Sequence, residues 1–79
     1  MAATRAFVLI ETAVGKTREV ADTLRKVGGV TSVDLVTGPY DLIVLIEAND
    51  LGAIGDTVTE NVHTISGIVR TVTCLAVSS

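Results

Sequence analysis

The segment Val36–Glu47 constrains the fold of this chain more than any other, because a Gly38-Pro39 corner is followed at once by a strand that is apolar on both faces. Side chains alternate between the two faces of a strand, and every residue of Leu42–Ile46 is aliphatic. The antiparallel sheet of a small two-layer protein usually keeps one polar, hydrated face. This strand needs cover on both faces, and we expect a second copy of the chain to cover one of them. The sequence therefore predicts an obligate oligomer.

Length and composition indicate one domain, residues 1–79, with an aliphatic core. A domain of this size removes only about 60–65% of its unfolded surface from water, so its own core gives limited stability. Hydrophobic residues make up 48% of the sequence and aromatic residues only 3%. This balance favours sheet surfaces over a deep aromatic ligand pocket.

Charge and cysteine content exclude several classes of protein. The formal net charge is −3, and the six Lys and Arg residues are scattered from Arg5 to Arg70, so direct nucleic-acid binding is not expected. The lone Cys74 allows no internal disulfide, which fits a reducing compartment. The longest apolar run, Leu42–Ile46, is far shorter than the roughly 20 residues of a membrane span. We expect a cytoplasmic protein without membrane contact.

The chain contains an internal repeat. Phe7–Glu11 recurs as Ile43–Glu47, and Gly29–Val33 has a looser echo in Gly67–Thr71. Each half therefore predicts a strand, a helix and a second strand.

The first helix is predicted over Thr17–Val27, where Val20, Leu24 and Val27 recur on one face. Thr17 is its expected N-cap, and Gly28-Gly29 is expected to end it. The second helix is predicted over Leu51–Val62, with Asn49 or Asp50 as its cap. Its apolar stripe is expected to comprise Leu51, Ile54, Val58 and Val62.

Two such halves, joined by the Gly38-Pro39 corner, predict the ferredoxin-like βαββαβ plan of the α+β class. Right-handed crossovers place both helices on one face of a four-stranded antiparallel sheet. The other face is then bare and aliphatic, and such a patch is larger than monomers usually expose. We therefore expect two copies to pack sheet on sheet as a dimeric α+β barrel.

The corner and the last strand resemble those of a known family. The Gly-x-Tyr-Asp pattern of Gly38–Asp41 and the Gly-Ile-x-x-Thr-x-Thr pattern of Gly67–Thr73 are similar to the effector-binding (RAM) domain of the Lrp/AsnC transcriptional regulators. The similarity covers about Ala6–Val77. In that family the domain follows a helix-turn-helix segment, which 79 residues cannot hold, so the chain resembles a stand-alone version.

The resemblance implies dimers with facing sheets that assemble into tetramers, octamers or rings, with a small amino acid bound between dimers. It also implies association with full-length Lrp/AsnC regulators, without direct DNA contact. The ligand-binding positions that it implies are Gly38, Pro39, Tyr40, Asp41, Thr71 and Thr73.

Structural roles compete with ligand binding at these positions. Gly38 and Pro39 suit a tight turn by themselves. Asp41 can accept backbone N–H bonds within the corner or receive a ligand ammonium group. Tyr40 suits an interface, and threonines such as Thr71 are common in strands for propensity alone.

The remaining reactive side chains favour no catalytic, metal or cofactor site. His63 has no second histidine to share a metal with, and Cys74 is expected to be a small buried residue. The Gly15–Thr17 sequence Gly-Lys-Thr lacks the upstream glycine of a phosphate-binding loop. Glu11 and Glu47 end equivalent strands, where paired acid–base carboxylates and solvated strand ends are both possible.

Three functions follow from these expectations. The first is a non-enzymatic, oligomeric sensor of a small amino acid or related metabolite. The second is a small dimeric barrel enzyme, for which His63, Glu11 and Glu47 are the only usable groups. The third is an amino-acid-binding module of the ACT type, which pairs its sheets side by side and so leaves the second sheet face wet. The doubly apolar strands favour the first.

Overall fold

The computed structural model describes residues 3–77 and confirms the βαββαβ order. The strands are β1 (Thr4–Thr12), β2 (Val30–Leu35), β3 (Leu42–Ala48) and β4 (Ile68–Leu75), and the helices are α1 (Thr17–Leu24) and α2 (Leu51–Thr57), the latter continued by a π-helical turn (Val58–Val62). The predicted ferredoxin-like α+β fold is therefore correct.

The four strands form one antiparallel sheet in the order β2-β3-β1-β4. In the central β1–β3 pair, Val8 lies directly opposite Val44. These two residues are also equivalent in the sequence repeat. The approximate two-fold axis that relates the two halves therefore passes between them. The turn glycines of the two halves, Gly29 and Gly67, have matching φ angles of 92° and 100°.

The core lies between the helices and one face of the sheet. Along β3, buried residues alternate with half-buried ones, as the sequence predicts for a strand with one face against helices. The buried hydrophobic residues are Ala6, Val8, Ile10, Val33, Leu42, Val44 and Ile46 from the sheet, and Val20, Ala21, Leu24, Ile54, Val58 and Val62 from the helical layer.

The first helix is shorter than predicted and begins differently. It ends at Leu24 rather than Val27, because the Val27 N–H bonds the carbonyl of Leu24 at 3.1 Å, three residues back, and such bonds tighten a last turn. The N-cap is Lys16, which makes no side-chain cap bond, and Thr17 is the first helical residue. The prediction of Thr17 as N-cap is therefore wrong.

The second helix begins as predicted but changes character halfway. Asp50 is the N-cap, and its Oδ1 accepts the Ala53 N–H at 2.8 Å. After Thr57 the chain widens into a π-helical turn, in which the His63 N–H bonds the Val58 carbonyl at 2.9 Å.

The apolar stripe of this helical segment includes Val58 and Val62, which are both buried and lie four residues apart. Leu51, predicted to begin the apolar stripe, is instead 59% exposed, so the stripe starts at Ile54.

Candidate functional site

The β2–β3 corner, residues 36–41, is closed on itself and fastened to β1. The Val36 N–H bonds the Asp41 carbonyl at 2.9 Å, and the Asp41 N–H bonds the Ile10 carbonyl at 2.8 Å. Gly38 has φ 140°, and a Cβ added there would meet no atom within 4 Å. Backbone conformation, not crowding, therefore requires glycine at this position, and the space beside its backbone is open.

The Asp41 carboxylate organises the interior of the corner. Its Oδ2 accepts the Thr12 backbone N–H at 2.8 Å and the Thr12 hydroxyl at 3.2 Å. Since the Thr12 hydroxyl donates its hydrogen to Asp41, it accepts the hydroxyl of Thr17, 2.7 Å away. Thr12 is only 9% exposed. The network joins the start of β3, the end of β1 and the first residue of α1, so the structure gives Asp41 the structural role that the sequence left open.

Tyr40 extends from the corner to β4. The Arg70 Nη2 donates to the Tyr40 hydroxyl at 2.7 Å, and the guanidinium carbon lies 5.4 Å from the Tyr40 ring centroid, a cation–π distance. The Arg70 Nε lies 4.0 Å from Glu11 Oε1, because the β1–β4 register places Glu11 directly opposite Arg70. The structure thus brings two charged side chains to the corner.

Several backbone donors of the corner are free. Within residues 3–77, the N–H groups of Thr37, Gly38 and Tyr40 have no hydrogen-bond acceptor. Together with the Tyr40 hydroxyl and the Arg70 guanidinium, they make the corner rich in donors. Such a surface suits an anionic group such as a carboxylate.

Thr71 and Thr73 lie on the other side of the sheet. They pair with Ile10 and Val8, whose side chains face the helices, whereas Arg70 and Tyr40 meet on the side away from the helices. The Thr71 hydroxyl lies 3.0 Å from His63 Nε2. The structure therefore separates the two threonines from the Tyr40–Arg70 contact, and their role as ligand contacts stays a prediction.

The sheet face away from the helices is uncovered in the single chain. We call it the open sheet face. Its apolar side chains are Phe7, Leu9, Ile43, Leu45, Val72 and Cys74, and the same face carries Ser32 and Asp34 of β2, which lie opposite Leu45 and Ile43. Phe7 and Val72 are each 38% exposed. The prediction of a buried Cys74 is wrong for the single chain, because Cys74 lies opposite Phe7 on this face and is exposed.

Glu11 and Glu47 are not a carboxylate pair. They lie at opposite ends of antiparallel strands, Glu11 opposite Arg70 and Glu47 opposite Arg5. Glu47 Oε1 accepts the Thr31 hydroxyl at 2.8 Å.

The Gly15–Thr17 segment forms the start of α1, as expected. Lys16 Nζ contacts Glu19 at 3.4 Å. No helix within residues 3–77 is long and apolar enough to cross a membrane.

A concavity lies on the helix side, away from the corner. It is an open groove of about 610 Å³ between α1 and the segment 61–66. None of the residues predicted to bind a ligand lines it.

Sequence reasoning missed Arg70 and Thr12 as parts of the site. Their partners are 30 and 29 residues away in the chain. The predicted βαββαβ plan carried a usable signal, because right-handed crossovers in this plan place β4 beside β1 and so bring the end of β1 near the start of β4.

Residues 5–79 match the family model of the Lrp/AsnC ligand binding domain. The chain belongs to the Lrp/AsnC ligand-binding domain family. It is similar to an uncharacterised helix-turn-helix transcriptional regulator of Pyrococcus horikoshii, 37% identical over 76 residues that cover 92% of this chain and 51% of the relative. The chain spans about half the length of the curated Lrp/AsnC relatives that it matches.

Solved structures of other proteins share the fold. The protein FFRP-DM1 matches with a TM-score of 0.89 and 36% identity over 94% of this chain and 99% of that chain. A transcriptional regulator of Neisseria meningitidis, solved as an L-Met complex, has a TM-score of 0.84 and 21% identity, over 95% of this chain and 50% of that chain. At this identity the likeness shows the fold alone.

Proposed function

We propose that this Lrp/AsnC domain is a non-enzymatic, oligomeric sensor that binds a small amino acid at the β2–β3 corner. Copies associate through the open sheet face, and the resulting dimers assemble further. The sensor regulates transcription indirectly, by association with DNA-binding relatives. The observation that carries this proposal is an apolar sheet face lying beside a donor-rich, open corner.

The open sheet face supports the dimer. Its six apolar side chains are half-buried or exposed. Covering an apolar side chain that is about one-third exposed contributes about 0.5–1 kcal/mol. Two facing sheets contribute two sets of six side chains, and the gain is on the order of 10 kcal/mol before association costs. This gain opposes an association cost of about 4–15 kcal/mol, so dimer formation depends on protein concentration.

The corner supports the ligand. Gly38 leaves open space beside the backbone, and free N–H groups adjoin it. Asp41 holds the shape of the corner from within. An amino-acid ligand agrees with the L-Met complex of the Neisseria meningitidis relative, and indirect regulation agrees with the longer relatives, which are helix-turn-helix regulators.

The dimer is tested by measuring mass against concentration with light scattering. Wild type is expected to be a dimer or larger, and Leu45→Glu, which places a charge on the open sheet face, is expected to dissociate. Leu51→Glu is the matched control, because Leu51 is an exposed leucine on the helix side and its variant should keep the wild-type mass. A wild-type monomer at every concentration would refute the dimer.

The ligand is tested by repeating the mass measurement on wild type with each standard L-amino acid, alongside isothermal titration calorimetry. At least one amino acid is expected to bind and to change the distribution of assembly states. If none binds and none changes the mass, the sensor function is wrong.

A further inference from the structure

We infer that Arg70 and Glu11 form the receptor for the two charged groups of the amino acid, with Arg70 binding its carboxylate and Glu11 its ammonium. This inference rests on the proposed function and deepens it. It assigns the ligand charges to β4 and β1 rather than to the corner residue Asp41. It also requires a ligand whose carboxylate and ammonium are both free.

Arg70 is positioned for a carboxylate. A guanidinium carries five N–H donors in a planar fork, and Tyr40 holds this one by a 2.7 Å hydrogen bond and by its ring face. Within residues 3–77, Nη1 has no acceptor, and the side chain is 61% exposed. The remaining donors of the fork match the two oxygens of a carboxylate. Because Tyr40 accepts from Arg70, its own hydroxyl hydrogen is also free to donate.

Glu11 is positioned for an ammonium group. It lies directly opposite Arg70 in the β1–β4 pair, its side chain is 45% exposed, and its nearest cation is Arg70 Nε at 4.0 Å. Its carboxylate accepts no hydrogen bond from within residues 3–77. Asp41 differs, because its Oδ2 already accepts two bonds from the nearly buried Thr12.

The two charges therefore lie side by side on neighbouring strands. A sheet holds side chains more precisely than a loop does, and the free N–H groups of the corner lie next to Tyr40. An exposed ion pair at 4.0 Å contributes little to folding stability, so a ligand can replace it at little cost. A zwitterion placed across the pair satisfies both charges.

The test is isothermal titration of the intact chain with the standard L-amino acids and with the α-amide of each one that binds. An α-amide keeps the ammonium and lacks the carboxylate. Wild type should bind the acid at least about tenfold more tightly than the amide, since a charge-assisted hydrogen bond corresponds to roughly ten- to hundredfold in affinity. Arg70→Met should weaken binding of the free amino acid by this factor and should abolish the preference for the free acid over its amide.

Arg18→Met is the matched control, because Arg18 is an exposed arginine on α1 without an ion pair among residues 3–77. It should bind like wild type, and all variants should melt within a few degrees of one another.

Arg70→Lys, which keeps the charge but loses the planar fork of donors, should give an intermediate affinity. Glu11→Gln should weaken binding of the free amino acid about tenfold and should leave the preference for the acid over the amide unchanged.

The outcomes separate this inference from the proposed function. If an amino acid binds and Arg70→Met keeps the acid-over-amide preference, the receptor assignment is wrong and the sensor function stands. If Glu11→Gln binds the acid as well as wild type does, the ammonium assignment is wrong. If no standard amino acid binds wild type, both proposals are overturned.

Discussion

The hydrogen-bond network of Asp41, Thr12 and Thr17 is tested by removing the Thr12 hydroxyl. Thr12→Val keeps the shape of a nearly buried side chain but removes the hydroxyl that bonds Asp41 at 3.2 Å and Thr17 at 2.7 Å. A hydrogen bond to a charged group contributes about 1.5–3 kcal/mol and a neutral one about 1 kcal/mol. The additional buried methyl group offsets about 1 kcal/mol. We expect a net loss of about 2 kcal/mol.

The measurement is urea unfolding followed by circular dichroism, at one protein concentration because assembly contributes to apparent stability. In thermal unfolding the same loss corresponds to roughly 8–16 °C for a domain of this size. Thr73→Val is the matched control, since Thr73 is an exposed strand threonine without a side-chain hydrogen bond in the described part of the chain. It should change stability by less than about 0.5 kcal/mol.

A double-mutant cycle with Asp41→Ala completes the test. Asp41→Ala leaves the Thr12 N–H and hydroxyl without their acceptor and should cost about 3 kcal/mol. Because the two residues share one network, their combined loss should fall short of the sum by at least about 0.5 kcal/mol. If Thr12→Val is as stable as Thr73→Val, or if the cycle is additive, the network does not hold the corner.

Three further outcomes follow from the structure. Gly67→Ala should lower the free energy of unfolding by about 3 kcal/mol in urea, because φ is +100° and the added Cβ would lie 3.0 Å from another side chain. Gly38→Ala is strained but lies in open space, so it should lower that free energy by only about 1 kcal/mol. Equal losses would contradict this order. Asp50→Ala should cost about 1 kcal/mol in the same assay through loss of the α2 cap, and an unchanged midpoint would show that the cap is dispensable. The Cys74 thiol should react slowly with a thiol reagent in wild type and rapidly in Leu45→Glu, because association covers the open sheet face; equal rates would place Cys74 outside the interface.

The sequence predicted the features that depend on local pattern. The alternation along β3, the βαββαβ order and a cap at Asn49 or Asp50 each rest on a few neighbouring residues. The structure contains the first two and uses Asp50 as the cap. The structure adds what the repeat did not predict: Val8 and Val44, which are equivalent in the repeat, lie opposite each other in the central pair of strands.

The features that failed depend on contacts between distant residues. Threonine is common at N-caps, but the Thr17 hydroxyl bonds the hydroxyl of Thr12, at the end of β1, instead. Cysteine is usually buried, yet β4 is an edge strand, and its register places Cys74 on the open sheet face.

The geometry also links ligand binding to assembly. Glu11 continues the row of Phe7 and Leu9 along β1, and Arg70 begins the row of Val72 along β4. The proposed charge receptor therefore lies at the border of the face that we propose a second copy covers. A ligand whose affinity differs between the separate and the assembled copies must change assembly by the same factor by which assembly changes its affinity, and a ligand with equal affinity for both changes neither. For the proposed sensor, the position of Arg70 and Glu11 at this border, rather than within the helical layer, is what allows a small molecule to shift the assembly state.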